Sequence, residues 1–223
     1  MPLMLYSGGT SMKLINAFLL LAISISAPVA AIAQSSTQKA APDQQANSAS
    51  ISAPFGLSWG ATKAETEKAG IVLTARSDES NGPAYMATNL PKTISDVESV
   101  VLYFGFGDRL YRIAAFGKTY ENDPYGTQVR SRYDELVKIL EQKYGPGKAS
   151  DFAADFYHGD NWTYGLMKKE NWHYTDFENG GVSVQISCRS VEMNDSYWII
   201  IYENVSEAKI ADEARKKHEA GAL

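Results

Sequence analysis

Between Val100 and Gly145 the chain alternates, turns, alternates again and then changes to helical spacing. Val100, Leu102, Phe104 and Phe106 recur at every second position, and Arg109, Tyr111, Ile113 and Ala115 do the same after Gly107-Asp108. That period belongs to two half-buried strands joined by a tight turn. A two-residue loop at Gly107-Asp108, with glycine supplying a positive φ, predicts that Phe106 faces Arg109, Phe104 faces Tyr111, Leu102 faces Ile113 and Val100 faces Ala115. The shared face is apolar except at its Arg109 end, and Tyr103, Gly105 and Arg112 make the other face mixed. Next, Val129, Tyr133, Leu136, Leu140 and Tyr144 follow at steps of four, three, four and four, one helical stripe suited to roofing the apolar sheet face. Gly145-Pro146 ends that helix, while Asp123 before Pro124 and Thr127 one turn later are rival N-caps.

Further elements follow from the same rules. Thr62-Lys63-Ala64-Glu65 has capping-box spacing and predicts a short helix stopped by Gly70. Strands are expected at 71–74 and 85–88, with turns at Asn81-Gly82-Pro83 and Pro91. Asp160 is positioned to cap a short helix running to about Lys169. Val182, Val184, Ile186 and Cys188 alternate with polar residues, and Glu178-Asn179-Gly180-Gly181 joins them to a strand at 172–177. A two-residue loop there would put Phe177 and His173 beside the valines; a three-residue loop would put Trp172 and Tyr174 there. The run 197–202 is apolar on both faces, as an interior strand would be. Ser206 is the expected N-cap of a last, alanine-rich helix that frays after Lys217. The fold class is therefore α+β: an antiparallel sheet with helices packed on one face, compatible with two αβ half-units of helix followed by strands.

Residues 1–33 read as an export signal, with Lys13, an apolar run from Leu14 to Val29 and Ala31-Ile32-Ala33 before Gln34; Met12 is an alternative start. Residues 34–53, rich in Ser, Gln, Ala and Asn, read as a disordered tether, which leaves 54–223 as the folded domain. No later stretch is apolar enough to span a bilayer, so no integral membrane segment is expected after signal removal, and the compartment is periplasmic or secreted. With 26 acidic against 21 basic side chains the net charge is −5, and loss of Lys13 makes it more negative. Nucleic acid is disfavoured as a partner. Cys188 is the single cysteine, so no internal disulfide forms, and its place among Val182, Val184 and Ile186 marks it as a small buried residue.

The opening Phe55-Gly56-Leu57-Ser58-Trp59-Gly60 with its Thr62-Lys63-Ala64-Glu65 helix, and later Leu136 to Tyr144-Gly145-Pro146, resembles a loosely defined set of exported bacterial α+β proteins that open with F-G-x-x-W-G. More weakly, it is similar to the helix-plus-antiparallel-sheet modules of the BamE-like and beta-lactamase-inhibitor-like kind. The resemblance spans about half of the domain and implies an exported α+β module; it transfers no site residues. A BamE-like lipoprotein carries an anchoring cysteine after its signal, where this chain has Gln34.

Candidate chemistry is sparse. His158, His173 and His218 lie far apart without metal-type spacing, so no metal and no cofactor are expected. No nucleophile elbow, phosphate-cradling loop or Ser-x-x-Lys pattern occurs, and Gly105-Phe106-Gly107 falls in a hairpin, not a strand-to-helix loop. No catalytic residue is therefore assigned. The aromatic stretch after Gly147 offers Trp162, Tyr164 and Trp172 as a stacking platform for a sugar or peptide; the plainer reading is that they are core. These features suggest an exported binding module whose partner is an envelope protein or cell-wall component. The alternatives are a hydrolase using dispersed carboxylates such as Asp155, Asp160 and Glu170, and a structural homodimer built on 197–202; pattern alone leaves the oligomeric state open.

Overall fold

The computed structural model describes residues 51–76 and 82–222; the expected export signal (1–33) and residues 34–50 of the expected tether lie outside the described residues. In chain order the elements are α1 (Lys63–Lys68), β1 (Val72–Ala75), β2 (Ala84–Thr88), β3 (Val97–Tyr103), β4 (Arg112–Gly117), α2 (Thr127–Tyr144), β5 (Lys148–Phe152), α3 (Trp162–Lys168), β6 (Trp172–Asn179), β7 (Val182–Glu192), β8 (Asp195–Asn204) and α4 (Val205–Ala222). The strands form one eight-stranded antiparallel sheet in the order β1-β2-β3-β4-β8-β7-β6-β5. Each four-stranded meander is preceded by a helix, and the two meet where β4 pairs with β8. The protein is thus α+β with an antiparallel sheet; each half begins with a helix and supplies four strands, the second with α3 inserted between β5 and β6.

Leu102 pairs with Ile113 and Val100 with Ala115, in the register that alternation predicts. The turn itself differs. It is wider than two residues, and the positive φ values belong to Gly105 and Asp108, not Gly107. Leu110 is drawn away to pair with the opening segment, accepting from Gly60 N and donating to Ala61 O at 2.9 Å each, so Phe106 and Arg109 never meet in the ladder. Between β6 and β7 the two-residue loop is realised: Gly180 and Gly181 both have positive φ, and Phe177 pairs with Val184 inside the core.

All five stripe residues of α2 are buried, and together with Trp162 and Leu166 of α3 they join Val100, Leu102, Ile113, Val184, Ile186 and Ile200 in the main core. Each such side chain contributes about 1.5–3 kcal/mol on leaving water. Asp123 supplies the cap of α2 from outside the helix. Gly126, the positional N-cap, has no side chain, and the buried Asp123 carboxylate accepts from Thr127 N, Gln128 N and Val129 N at 2.8, 2.9 and 3.2 Å. Thr127 therefore does not act as the cap. Asp96, ahead of β3, ties the layers together by accepting twice from Arg132 of α2 and once, at 3.1 Å, from the Trp198 indole of β8.

Four expectations change at the ends of elements. Ile51 and Ala53 already pack on the core, so the fold reaches into the segment read as tether. Asn161, not Asp160, precedes α3, and neither caps it through a side chain. Asn204 replaces Ser206 as the cap of α4, its Oδ1 accepting from Glu207 N at 3.0 Å. Far from fraying at Lys217, α4 continues to Ala222. Arg215 pairs with Asp212 and Glu219, Lys216 pairs with Asp212, and His218 stacks on Phe106 with centroids 4.3 Å apart. These contacts, with the Arg109–Glu207 bidentate pair, compensate for a stripe in which only Ala211 is buried.

Candidate binding face of the sheet

Because strand side chains alternate, the residues that do not face α2 and α3 fall on the opposite side of the sheet. There Ala84, Val101, Ala114 and Ile199 form a second, smaller cluster flanked by half-buried Tyr103, Phe116, Tyr197 and Ile201. Among the described residues no helical side chain belongs to it. The cluster lies on β2, β3, β4 and β8, around the central seam of the sheet. Phe116 and Tyr197 stack with centroids 6.3 Å apart and planes 29° apart. At one end Arg112 pairs with Glu203 at 2.7 Å and lies 6.0 Å from the Tyr103 ring centre, next to a cleft of about 240 Å³ against Ala208, Ala211, Asp212 and Arg215 of α4. The charges at this end are already paired, so the unsatisfied character of the face is aromatic and apolar.

The sequence-derived aromatic residues separate. Trp162 is a correction: only 4% exposed, it is a core residue of α3, with the Arg130 guanidinium 4.7 Å from its ring centre. A ring so enclosed cannot be part of a stacking platform. Gly126 is what lets it in, since a Cβ there would overlap the indole. Tyr164 is half-buried, edge-on to Tyr157 and covered by Lys168. Trp172 is 41% exposed and stacks on Phe152, centroids 4.4 Å apart, at the β5 edge. By register Trp172 and Phe152 share the face of Tyr197 and Phe116: the ladder runs Phe152 to Trp172 and, by alternation, on through Arg189 to Tyr197. Asn171 anchors the approach to this edge, donating to Tyr157 O and Trp162 O and accepting from Ala154 N.

On the core side of the same strands, Asp151, His173 and Cys188 follow one another across β5, β6 and β7. Acid, imidazole and thiol in a row is the order that nucleophilic catalysis uses. Here it is sealed. Cys188 is 1% exposed, and burial pushes its thiol well above the ordinary value, so it stays protonated. His173 Nδ1 lies 3.0 Å from Asp151 Oδ1 without the alignment of a hydrogen bond, and the ring packs against Tyr133. Burial raises the Tyr133 phenol to about 12, and its hydroxyl is committed to Thr175 at 2.6 Å. Cys188 is the small buried residue that its apolar neighbours imply.

Asp155, Asp160 and Glu170 are all exposed. Among the described residues the carboxyls whose pKa moves all move down, Glu65 through hydrogen bonds from Thr62, and Asp96 and Asp212 through hydrogen bonds from their basic partners, which does not suit proton donation near neutral pH. Among the described residues no three His, Cys, Asp or Glu side chains gather as metal ligands, and no helix is long and apolar enough to cross a membrane. No protein-family profile, curated protein or solved structure matches the chain.

Two functional features escaped sequence reasoning. The Phe116–Tyr197 pair was visible as two isolated aromatics; only the β4–β8 pairing, eighty residues apart in sequence, joins them. The Phe152–Trp172 stack needed the β5–β6 register, and the alternation of Lys148–Phe152 is too weak to announce a strand.

Proposed function

We propose that the protein is an exported, non-catalytic binding module of the bacterial envelope, and that the sheet face opposite α2 and α3, bordered at one end by α4, holds a partner. The observation that carries this reading is the half-exposed aromatic surface of Tyr103, Phe116 and Tyr197, continued by Trp172 and Phe152 at the β5 edge. Aromatic side chains with polar tips lose little entropy on contact and dominate the energetics of interfaces. Phe116 and Tyr197 are mounted on the central strands β4 and β8. The partner class is an envelope protein or a cell-wall component, and Trp172 is the retained member of the sequence-derived ligand set; Tyr164 is half-buried on α3 against Tyr157 and Lys168. The signal-like leader supports the location.

The test is binding of soluble peptidoglycan fragments and of fractionated envelope proteins to the full chain and to Tyr197→Ala, Phe116→Ala and Trp172→Ala variants whose circular dichroism is unchanged. The expected result is loss of binding in at least the Tyr197 and Trp172 variants. Binding that ignores all three substitutions refutes the reading. A homodimer through the same face is a second reading, favoured by the apolar centre at Val101, Ala114 and Ile199. Sedimentation velocity separates the two, since a dimer that Ile199→Asp dissociates assigns the face to a second copy.

A further inference from the structure

We propose that Arg189 makes the aromatic face a receptor for an acidic segment of a partner protein, its guanidinium taking an aspartate or glutamate carboxylate between Trp172 and Tyr197. The inference rests on the reading of that face as a binding surface and names what it binds. Cys188 of β7 points into the core, so by alternation Arg189 points out through the opposite face, where it is exposed. Arg189 pairs with Tyr197 across β7 and β8, and the β6–β7 register carried past Tyr174 and Ser187 sets Trp172 on its other side. Neighbouring strands lie about 4.8 Å apart, so the row Phe152, Trp172, Arg189 and Tyr197 sets one cation amid aromatic side chains. The other charges of this face answer one another. Arg112 is paired with Glu203, and Lys148 stands opposite Asp176, whose Oδ1 accepts from Gln185 at 2.8 Å. Glu178 lies at the far end of β6, by the Gly180-Gly181 turn. At the Arg189 end the Asp195 carboxylate is taken by Asn122 N at 3.0 Å, and Glu192 follows a break in the β7–β8 register. Among the described residues the arginine ion pairs belong to Arg109, Arg112, Arg132 and Arg215, and the guanidinium contacts with rings to Arg112 and Arg130; Arg189 has neither.

A lone exposed ion pair is worth little, because water screens it. Here the flanks change that. A partner that lays apolar side chains on Trp172 and Tyr197 shuts water out around the guanidinium, and a carboxylate reaching it then makes a charge-assisted, two-pronged contact in a drier setting. Arginine among large aromatics is also the composition enriched at protein–protein interfaces. A glycan is served less well. Stacked sugars ask for a fringe of free hydrogen-bonding groups, whereas Trp172 Nε1 already donates to Ser150 Oγ at 3.2 Å and Gln185 to Asp176. Aromatic planes with one unspent cation match a peptide in which an apolar residue neighbours Asp or Glu. A second copy docked about a two-fold axis through this row would set guanidinium against guanidinium.

The probe is a phage-displayed library of random linear peptides selected on the immobilised full chain, with affinities of the synthetic winners measured by calorimetry. The expected winners carry Asp or Glu beside an aromatic or aliphatic residue. Changing that acid to its amide, or Arg189→Gln in the protein, should each weaken binding by about tenfold or more, and the two together little further, because both remove one contact. Arg189→Lys should keep part of the affinity, since an ammonium retains the charge without the planar fork. Arg189→Glu should reject the winners and accept versions in which Lys replaces the acid. In the unaltered protein, added salt should weaken the winners more than their amide versions, a readout that needs no variant to fold. Winners weakened by Tyr197→Ala and Trp172→Ala yet untouched by Arg189→Gln would leave the aromatic face standing and overturn the acidic ligand. Winners indifferent to all three substitutions would overturn both. A library that yields no binder also overturns the proposal, and soluble peptidoglycan fragments that bind in its place assign the face to glycan. A dimer that Arg189→Gln dissociates assigns the face to a second copy and overturns it as well.

Discussion

Replacing Asp123 by Ala should cost the protein a large share of its stability, although the residue lies outside every helix and strand. Its carboxylate serves three amides at the start of α2, and the last of these, Val129 N, is in a buried bond. Loss of a cap costs about 1–2 kcal/mol, and an unsatisfied buried N–H adds about 1–3 kcal/mol. Allowing for overlap between the two, about 2–4 kcal/mol is expected, against a total of about 5–15 kcal/mol for an ordinary domain. With a urea dependence of about 2 kcal/mol per molar, the unfolding midpoint should fall by about 1–2 M, followed by tryptophan fluorescence and far-ultraviolet circular dichroism. Asp123→Asn, which keeps one acceptor oxygen, should lose about half as much. A midpoint shift below about 0.25 M in the alanine variant would show that the Thr127 hydroxyl or solvent satisfies those amides, and the reasoning would fail.

Four further outcomes are expected. Burial works to raise the Asp96 carboxyl, but hydrogen bonds from Arg132 and Trp198 outweigh it and hold the group below its ordinary value; the folded state then binds fewer protons, so this stability is present above the ordinary aspartate value and is lost as pH falls through the folded one, below about pH 4. Asp96→Asn should flatten that part of the acid unfolding profile, and an unchanged profile would contradict the assignment. Gly117→Ala should destabilise by about 3 kcal/mol or more in thermal unfolding, because its Cβ would overlap the buried Trp198 indole and break the bond to Asp96. Trp172→Ala should change the thermal midpoint little, since the ring is 41% exposed, yet remove its share of partner binding in calorimetry. Cys188 should resist thiol reagents in the native state, with labelling that accelerates only as denaturant opens the core; rapid native labelling would be incompatible with a thiol 1% exposed.

Local pattern was legible wherever one face of an element meets the core. The α2 stripe, the Leu102–Ile113 register and the capping box at Thr62 and Glu65 all follow from spacing, because a slip of one residue would turn their apolar sides outward. What was not legible depends on distant partners. Leu110 leaves the hairpin for Gly60 and Ala61, nearly fifty residues upstream, and no alternation encodes that. Trp162 and Trp172 look alike as sequence; their opposite fates are decided by Gly126, which admits one ring, and by the sheet edge, which exposes the other. The candidate face was half visible, since 197–202 reads as apolar on both sides, but its central aromatics come from three strands, β3, β4 and β8, that meet only in the folded sheet.

The seam between β4 and β8 also governs the order in which the molecule can be assembled. β4 ends at Gly117, and the strand that completes its second side does not begin until Asp195. Until that late segment arrives, a nascent or truncated product presents Arg112–Gly117 as a sticky ribbon with Phe116 alongside, open to whatever strand is nearest. Completion therefore works as a checkpoint: the arrival of Asp195–Asn204 decides whether Arg112–Gly117 becomes an interior or a seed for aggregates, and any helper that escorts this chain would have to hold it until Asn204 has been made.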